Sequence, residues 1–353
     1  VALYSYWNLF WQLESTSNGS CDTNGNIERG TILTTTTTTT ALRTFEDSKK
    51  IDVSNFGGIV PQAFDKWKHG QLPCFPPDPQ WYLPQVHRSP AHQGLLFLKE
   101  MKTGGSTAAG IHLRIARNQA KKTHGTEATI CKTRNDHGRA YSFDYRNRDR
   151  SKSFLWTILR DPTQRAISQF FHFEVSRNKV EPTDSNFQQW IRNNRHLLHR
   201  HYLATLSVDD VFNNTLSNNP VMMANKILQD YDFIGLTERM EESAVALQLL
   251  LGVTTGDVLF MNAKGSGGFD DGFAKDKGCV YIVPSFVSPG MKSFFQTKKW
   301  KVLIATDQFL HQAVNRSLDL TIERLGRAQF DRALQRFRHA MQHVAKTCLP
   351  NTT

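Results

Sequence analysis

The sequence lacks several features that would place it quickly in a familiar class. No stretch reaches the roughly 18 to 20 consecutive apolar residues that a membrane-spanning helix needs. Acidic residues are in deficit, with 32 Asp and Glu against 43 Lys and Arg, so the formal net charge is +11. This excess favours anionic partners such as nucleotides, acidic glycans, nucleic acid or membrane surfaces, but solvated Lys and Arg faces produce the same excess without a ligand.

Cysteine is also scarce. The chain has five cysteines and none of them forms a C-x-x-C pair, which argues against a zinc site or a dithiol redox motif. They are Cys21, Cys74, Cys131, Cys279 and Cys348. The odd number is compatible with one or two disulfides plus a free thiol, or with no disulfide at all.

The first quarter of the chain differs in composition from the rest. It contains an unbroken run of threonine at residues 34–40, stretches rich in Asn, Gly and Ser, and a proline-rich segment at 73–90. Residues 1–88 are therefore predicted to form an irregular N-terminal stem, and residues 89–353 a globular domain. The apolar run at residues 1–13 has two interpretations: the trailing end of a membrane anchor whose start is missing, or an element that packs on the domain.

The globular part contains short apolar runs separated by helical stretches. Runs at 95–98, 154–159 and 231–235 predict buried strands, and 256–260 is a candidate for a fourth. Helices are predicted after the first run, to about residue 120, and after the second, from Pro162 to about Arg177. Thr237 is predicted to cap the next helix, with Glu238 and Glu241 in its first turn.

The last part of the chain is helical in pattern. Two apolar stripes recur at helical spacing, and Gly326 separates them. The first stripe is Leu310, Val314, Leu318, Ile322 and Leu325, and the second is Phe330, Leu334, Phe337, Met341 and Val344. Strands that alternate with helices predict an α/β fold with a parallel sheet flanked by helices, followed by a helical C-terminal part.

The first predicted strand leads into a segment suited to binding a phosphate. Lys102 supplies a mobile positive charge, two glycines let backbone N–H groups approach closely, and a helix start adds unpaired N–H donors. The hydroxyls of Thr103, Ser106 and Thr107 can donate to phosphoryl oxygens. In a Walker A loop the lysine follows the glycines, whereas here it precedes them, which argues against an ordinary P-loop kinase or NTPase. The segment is Lys102, Thr103, Gly104, Gly105, Ser106 and Thr107.

The second buried strand leads into another candidate phosphate site. Arg160 follows the carboxyl end of this strand, where open α/β sheets bind ligands. Ser168 lies two turns along the following helix, near the same face as Arg165. Because an arginine can grip a phosphate with two parallel hydrogen bonds, Arg160 and Ser168 are predicted to hold a second phosphate group.

Together these two segments resemble the donor-binding motifs of sulfotransferases that use 3′-phosphoadenosine 5′-phosphosulfate (PAPS). Residues 102–107 are similar to the 5′-phosphosulfate loop of Golgi galactose 3-O-sulfotransferases and of heparan sulfate 2-O- and 6-O-sulfotransferases. Residues 160–168 are similar to their 3′-phosphate motif, and residues 233–243 more loosely to a strand-to-helix signature of the same superfamily. The resemblance is clear over about 94–175 and implies a P-loop-like fold, PAPS as co-substrate and a scheme without a metal.

Thirteen histidines compete for the role of catalytic base. His137 is favoured because the resemblance to heparan sulfate 2-O-sulfotransferases places a catalytic histidine in a similar location, just before the 3′-phosphate strand. Asp136 and Gly138 suit a tight exposed turn, and Asp136 is a candidate to orient the imidazole. The predicted catalytic pair is therefore His137 and Lys102, with His112, His172 and Glu174 as reserves.

The basic residues between 121 and 150 lack the interleaved aromatic residues of a single-strand platform, so they favour an acidic glycan over nucleic acid, and a solvated surface is an equal alternative. The resemblance implies a carbohydrate acceptor. Two other functions stay open: a P-loop-like kinase that uses ATP, and a non-catalytic glycan-binding protein. Four N-x-[ST] sequons favour a secretory lumen. The resemblance implies a glycoprotein of the Golgi lumen, held as a single-pass type II membrane protein by an N-terminal anchor.

Overall fold

The structure is a computed structural model, and it describes residues 52–70, 72, 74–75, 93–124, 130–131, 133–210, 219–260, 268–270 and 280–348. Most of the predicted stem and the apolar run at residues 1–13 lie outside these ranges. Within them, no helix combines the length and the apolar character that crossing a membrane requires.

A four-stranded parallel sheet forms the centre of the molecule. Its strands are β2 (Gly94–Leu98), β4 (Thr133–Asp136), β5 (Ser153–Leu159) and β6 (Phe233–Leu236), in the spatial order β4-β2-β5-β6. Two antiparallel pairs accompany it: β1 (Cys74–Phe75) with β3 (Ile130–Cys131), and β7 (Gly268–Asp270) with β8 (Val280–Ile282). The three predicted strands correspond to β2, β5 and β6, so the predicted α/β class is confirmed. Continuous apolar runs identified β2 and β5 because both are buried along their whole length.

The predicted fourth strand at 256–260 is wrong. This stretch forms a short helix, Thr255–Val258, because Thr254 and Asp257 make a reciprocal capping box. The actual fourth strand of the sheet is β4, whose sequence Thr-Arg-Asn-Asp has no apolar run. It lies at the edge of the sheet, where few apolar side chains are needed, so the hydrophobic pattern could not reveal it.

Helices cover both faces of the sheet and make up the C-terminal part. They are α1 (Gly105–His124), α2 (Pro162–Phe170), α3 (Asp184–Asn193), α4 (Arg195–Leu198), α5 (His201–Leu206), α6 (Pro220–Asp230), α7 (Met240–Leu251), α8 (Thr255–Val258), α9 (Pro289–Gln296), α10 (Lys298–Leu325) and α11 (Arg327–Cys348). A π-helix, Phe171–Arg177, continues α2. Short 3-10 helices are Val53–Phe56, Ala140–Phe143, Tyr145–Asn147 and Thr237–Arg239. The two C-terminal stripes lie on α10 and α11, and Gly326 ends the first of these helices as predicted.

Part of the segment that composition grouped with the stem packs on the domain. Ile59, Phe64 and Leu72 are buried in the main core. The N–H of Phe64 donates to the hydroxyl of Thr321 on α10 at 2.9 Å. Residues 52–70 therefore lie against the helical C-terminal part, while the boundary between residues 88 and 89 stays a prediction.

Candidate functional site

The carboxyl ends of the four parallel strands bring the predicted site residues to one edge of the sheet. His137 follows β4, Lys99 follows β2, Arg160 follows β5 and Thr237 follows β6. The N–H of Lys99 donates to the carbonyl of Asp136 at 2.8 Å, so the chain leaves β2 directly beside the end of β4. Open α/β sheets bind their ligands at this edge.

The first phosphate segment begins with a tight turn of unusual backbone geometry. Lys102 has φ of 61° and Gly104 has φ of 76°, both in the left-handed region that side chains other than glycine rarely adopt. A Cβ atom at Gly105 would lie 2.7 Å from Cγ of Lys99, so a larger residue would clash there. The two glycines are thus needed for the turn itself, and a non-glycine residue at positive φ is often found at a functional site.

Helix α1 starts where this turn ends. The N–H of Ala108 donates to the carbonyl of Gly104 at 3.2 Å, which leaves the N–H groups of the preceding helical residues directed out of the helix end. Its first turn contains no acidic residue, Ser106 is exposed and Thr107 is half-buried. This helix end is therefore suited to an anion. Thr103 is fully buried and its hydroxyl donates to the carbonyl of Glu100 at 3.0 Å, so this side chain closes the turn.

The second phosphate segment meets the first. Nη1 of Arg160 lies 3.5 Å from the carbonyl oxygen of Lys102, which joins the two predicted donor-binding segments. Helix α2 follows at once, because Asp161 caps it by accepting from the N–H of Gln164 and Pro162 occupies its first turn. Ser168 lies on this helix, half-buried. Arg165 instead points into the protein, fully buried, with its guanidinium 5.4 Å from the ring centre of Tyr202.

Tyr202 fixes the backbone of Arg160. Its hydroxyl donates to the carbonyl of Arg160 and accepts from the N–H of the same residue at 3.2 Å. Because Tyr202 is fully buried on α5, both hydrogen bonds are shielded from water. The backbone from which the Arg160 side chain extends is therefore held in a fixed position.

Thr237 connects the two segments a second time. Its hydroxyl is within hydrogen-bonding reach of the carbonyl oxygens of Thr103 and Leu159. The predicted role of Thr237 as a helix cap is wrong, because residues 237–239 form a 3-10 turn and α7 begins only at Met240. The β-strand geometry at the end of β6 aims the threonine at the neighbouring loops instead. Glu238 adds a further link by accepting from the N–H of Asp161 at 2.8 Å.

A buried polar cluster lies at the residues that directly precede the first phosphate segment. Oε1 of Glu100 accepts from the N–H of Met101 at 2.8 Å and lies 2.6 Å from Nε2 of His201. The main-chain N–H groups of His201 and Tyr202 donate to the Asp307 carboxylate at 2.9 and 3.1 Å. Arg165 adds a positive charge, so this cluster joins the phosphate turn to α2, α5 and α10.

The charges in this cluster are set by burial and by their neighbours. Burial alone would raise the pKa of Glu100, but His201, Thr205 and Arg165 outweigh it and hold that pKa at about 2. Burial and the nearby Arg165 lower the pKa of His201, and they favour a neutral ring that donates from Nε2 to Glu100 over a full ion pair. Burial raises the pKa of Asp307 to about 7. Glu100 therefore contributes a permanent negative charge to the buried cluster that contains Arg165.

The predicted base, His137, lies half-buried directly after β4. Asp136, expected in an exposed turn, is instead the buried last residue of this strand. It accepts from the Tyr145 hydroxyl at 2.6 Å and from Nε of Arg134 at 2.5 Å. The end of β4 is therefore rigid, and it delivers His137 to the edge that carries Lys102.

The reserve histidines occupy different environments. His112 is fully buried, its Nδ1 accepts from the Trp156 indole at 3.2 Å, and burial lowers its pKa to about 3. It is therefore a core residue that cannot reach a substrate. His172 and Glu174 lie on the π-helix beyond Ser168, and His172 is buried.

The supporting roles of three residues, Glu100, Tyr202 and Thr237, were not predicted from the sequence. Tyr202 and Thr237 bond backbone groups of segments that are distant in sequence. Glu100 contacts the side chain of His201, which is 101 residues away. Single-sequence patterns carry no signal for such pairs. The resemblance of residues 233–243 to a family signature pointed to the segment that contains Thr237, but not to the contacts of its hydroxyl with Thr103 and Leu159.

One comparison with known proteins identifies the family of the chain. A protein-family model described as the sulfotransferase family matches residues 85–264, just over half of the chain. The matched span includes both phosphate segments, His137 and the turn after β6. A comparison with curated proteins gave no match. The chain therefore belongs to the sulfotransferase family.

Proposed function

We propose that this sulfotransferase takes PAPS as its donor and transfers the sulfuryl group to a hydroxyl of a carbohydrate. The observation that supports the proposal most is the junction of the two phosphate segments, where Arg160 reaches the carbonyl of Lys102 and Thr237 bridges Thr103 and Leu159. A donor that carries both a 5′-phosphosulfate and a 3′-phosphate needs two anion sites at a fixed separation. A nucleotide without a 3′-phosphate would use only one of them.

The geometry of each segment supports the proposed contacts with the donor. The N-terminus of α1, with Ser106 and Thr107, binds the 5′-phosphate and the sulfuryl oxygens through N–H and O–H donors. Backbone N–H groups of Thr103, Gly104 and Gly105 contribute to the same site. Arg160 and Ser168 bind the 3′-phosphate. Lys102 neutralises the charge that develops on the bridging oxygen as the sulfur–oxygen bond breaks.

The acceptor side requires a base and an in-line approach. The acceptor oxygen forms a bond to sulfur on the side opposite the leaving 5′-phosphate, as in phosphoryl transfer. His137 takes the proton of the acceptor hydroxyl, and the bond electrons of the broken sulfur–oxygen bond remain on adenosine 3′,5′-bisphosphate. The products are a sulfate ester, the bisphosphate and protonated His137.

The class of acceptor rests on the sequence resemblance and on the net charge of +11, which suits an acidic glycan. The candidate acceptors are the galactose 3-hydroxyl of a glycoprotein or glycolipid, and a uronic acid or galactose unit of a polysaccharide. The proposed location, anchored in the Golgi membrane with the domain in the lumen, follows from the same resemblance. A transfer screen with labelled PAPS over neutral and acidic glycans would identify the acceptor.

Ligand-induced stabilisation tests the donor. We expect adenosine 3′,5′-bisphosphate to raise the thermal midpoint clearly more than AMP or ATP, because it alone fills both anion sites. Arg160→Ala should remove this preference, so that the bisphosphate and AMP stabilise equally. Arg338→Ala is the matched control, since Arg338 is an exposed residue paired with Glu241. Stronger stabilisation by ATP with Mg²⁺ would indicate a kinase, and glycan binding without any transfer from labelled PAPS would indicate a non-catalytic protein.

The support that Tyr202 gives to Arg160 is testable with a conservative change. Tyr202→Phe keeps the packed ring but removes both hydrogen bonds to the Arg160 backbone, so we expect the KM for PAPS to rise about tenfold with little change in kcat. Tyr231→Phe is the matched control, because Tyr231 is also buried and donates to a main-chain carbonyl, that of Leu206, at 3.0 Å. Equal KM values in the two variants would contradict the role of Tyr202.

A further inference from the structure

Two of the five cysteines meet at one position of the antiparallel pair formed by β1 and β3. Cys74 is the register partner of Cys131, and Phe75 is the partner of Ile130. Directly opposite residues of an antiparallel pair share a face, and their Cα atoms lie about 4.5 or about 5.5 Å apart, depending on the hydrogen-bonding position. Both spacings fall within the range of roughly 4.4 to 6.8 Å that disulfides span.

We propose that Cys74 and Cys131 form an intrachain disulfide. The backbone register already places the two Cα atoms within the span that a disulfide bridges. Of the other cysteines, Cys348 ends α11, while Cys21 and Cys279 lie outside the described residues. This pairing leaves three cysteines and excludes the alternative of a chain without any disulfide.

The bond would enclose the part of the chain that carries the first phosphate segment. The loop from residue 74 to residue 131 contains β2, residues 102–107 and α1. Its second end lies just before β4, which leads to Asp136 and His137. Cross-linking a long loop restricts the unfolded chain and so favours the folded state. The register of β1 and β3 places the two cysteines opposite each other whichever donor and acceptor the protein uses.

Formation of the bond is an exchange with an external disulfide, such as glutathione disulfide. One cysteine, as its thiolate, attacks the oxidant and forms a mixed disulfide, and one reduced thiol leaves. The second cysteine then attacks the mixed disulfide, which forms the Cys74–Cys131 bond and releases the second reduced thiol. Two protein thiols are thereby oxidised by two electrons, and the external disulfide is reduced by two.

Peptide mapping tests the pairing directly. The full chain is folded in the presence of glutathione disulfide, denatured, alkylated without a reductant and digested. We expect a linked peptide pair that contains Cys74 and Cys131, lighter than the two reduced peptides together by two hydrogen atoms. In Cys74→Ser the thiol of Cys131 should become alkylated, whereas Cys348→Ser, the matched control, should keep the link. Alkylation of both residues in the wild type, or a bond from either one to another cysteine, would overturn the proposal.

A stability measurement checks that the bond belongs to the folded protein. Dithiothreitol should lower the thermal midpoint of the wild type by several degrees and leave a Cys74→Ser, Cys131→Ser double variant almost unchanged. An equal response of both proteins to the reductant would show that the link contributes nothing to the fold and would count against the proposal.

Discussion

Replacing Lys102 by alanine is expected to lower kcat for sulfuryl transfer by about a thousandfold while the protein stays folded. The lysine lies within the turn at residues 101–104 that precedes α1, at a φ of 61° that alanine tolerates no worse than lysine does. Its contribution arises only as charge develops on the leaving oxygen, so kcat should fall more than donor affinity. Single-turnover transfer from labelled PAPS measures the loss of transfer rate, and the thermal midpoint shows whether the variant stays folded.

The matched control for this experiment is Lys152→Ala. Lys152 precedes β5 at the opposite, amino edge of the sheet, and its side chain is 58% exposed beside Asp149. It should retain the turnover of the wild type, since an exposed ion pair far from the site contributes little. Wild-type turnover in Lys102→Ala would remove this residue from the mechanism.

The second large effect is expected on stability. Glu100→Ala should lower the thermal midpoint by about 10 °C, because it removes the acceptor of the Met101 N–H and of His201 and takes a negative charge away from the buried cluster that contains Arg165. Breaking a buried charged cluster by removing one member typically costs about 3 to 5 kcal/mol. Thermal unfolding in the absence of ligand measures the effect without any assumption about the donor.

Glu241→Ala serves as the control for that measurement. Glu241 pairs with Arg338 at 2.8 Å, but both side chains are about half exposed, so the loss should stay below about 1 kcal/mol. If both variants unfolded at the wild-type temperature, the cluster under the phosphate turn would be dispensable for folding.

The strands that carry the two phosphate segments were predictable from the sequence because they are central and buried. Their apolar runs are continuous, and each run is followed by residues of recognisable chemistry. A glycine-rich turn follows β2, and Arg160 with Pro162 follows β5. The stripes on α10 and α11 were predictable for a similar reason, since one face of each helix packs on the core.

Other parts depended on contacts between distant residues. The edge strand β4 has the polar sequence Thr133–Asp136 and pairs with β2 through its backbone, which no side-chain pattern records. Tyr202 acts 42 residues away from Arg160, and His201 contacts Glu100 across 101 residues. Threonine is a common N-cap residue, so the sequence around Thr237 predicts a helix cap. Only the position of β6 beside β5 directs Thr237 to the phosphate loops.

The bridging hydroxyl of Thr237 has a consequence for the catalytic cycle. Because it ties both anion-binding halves together, their spacing is set before any nucleotide arrives, and little conformational freedom is lost on binding. The 3′- and 5′-phosphates that we propose these halves bind are present both in PAPS and in adenosine 3′,5′-bisphosphate. A preorganised site of this kind retains its by-product about as firmly as its substrate, so departure of the bisphosphate is expected to limit repeated turnover, and its accumulation to inhibit the enzyme in competition with PAPS.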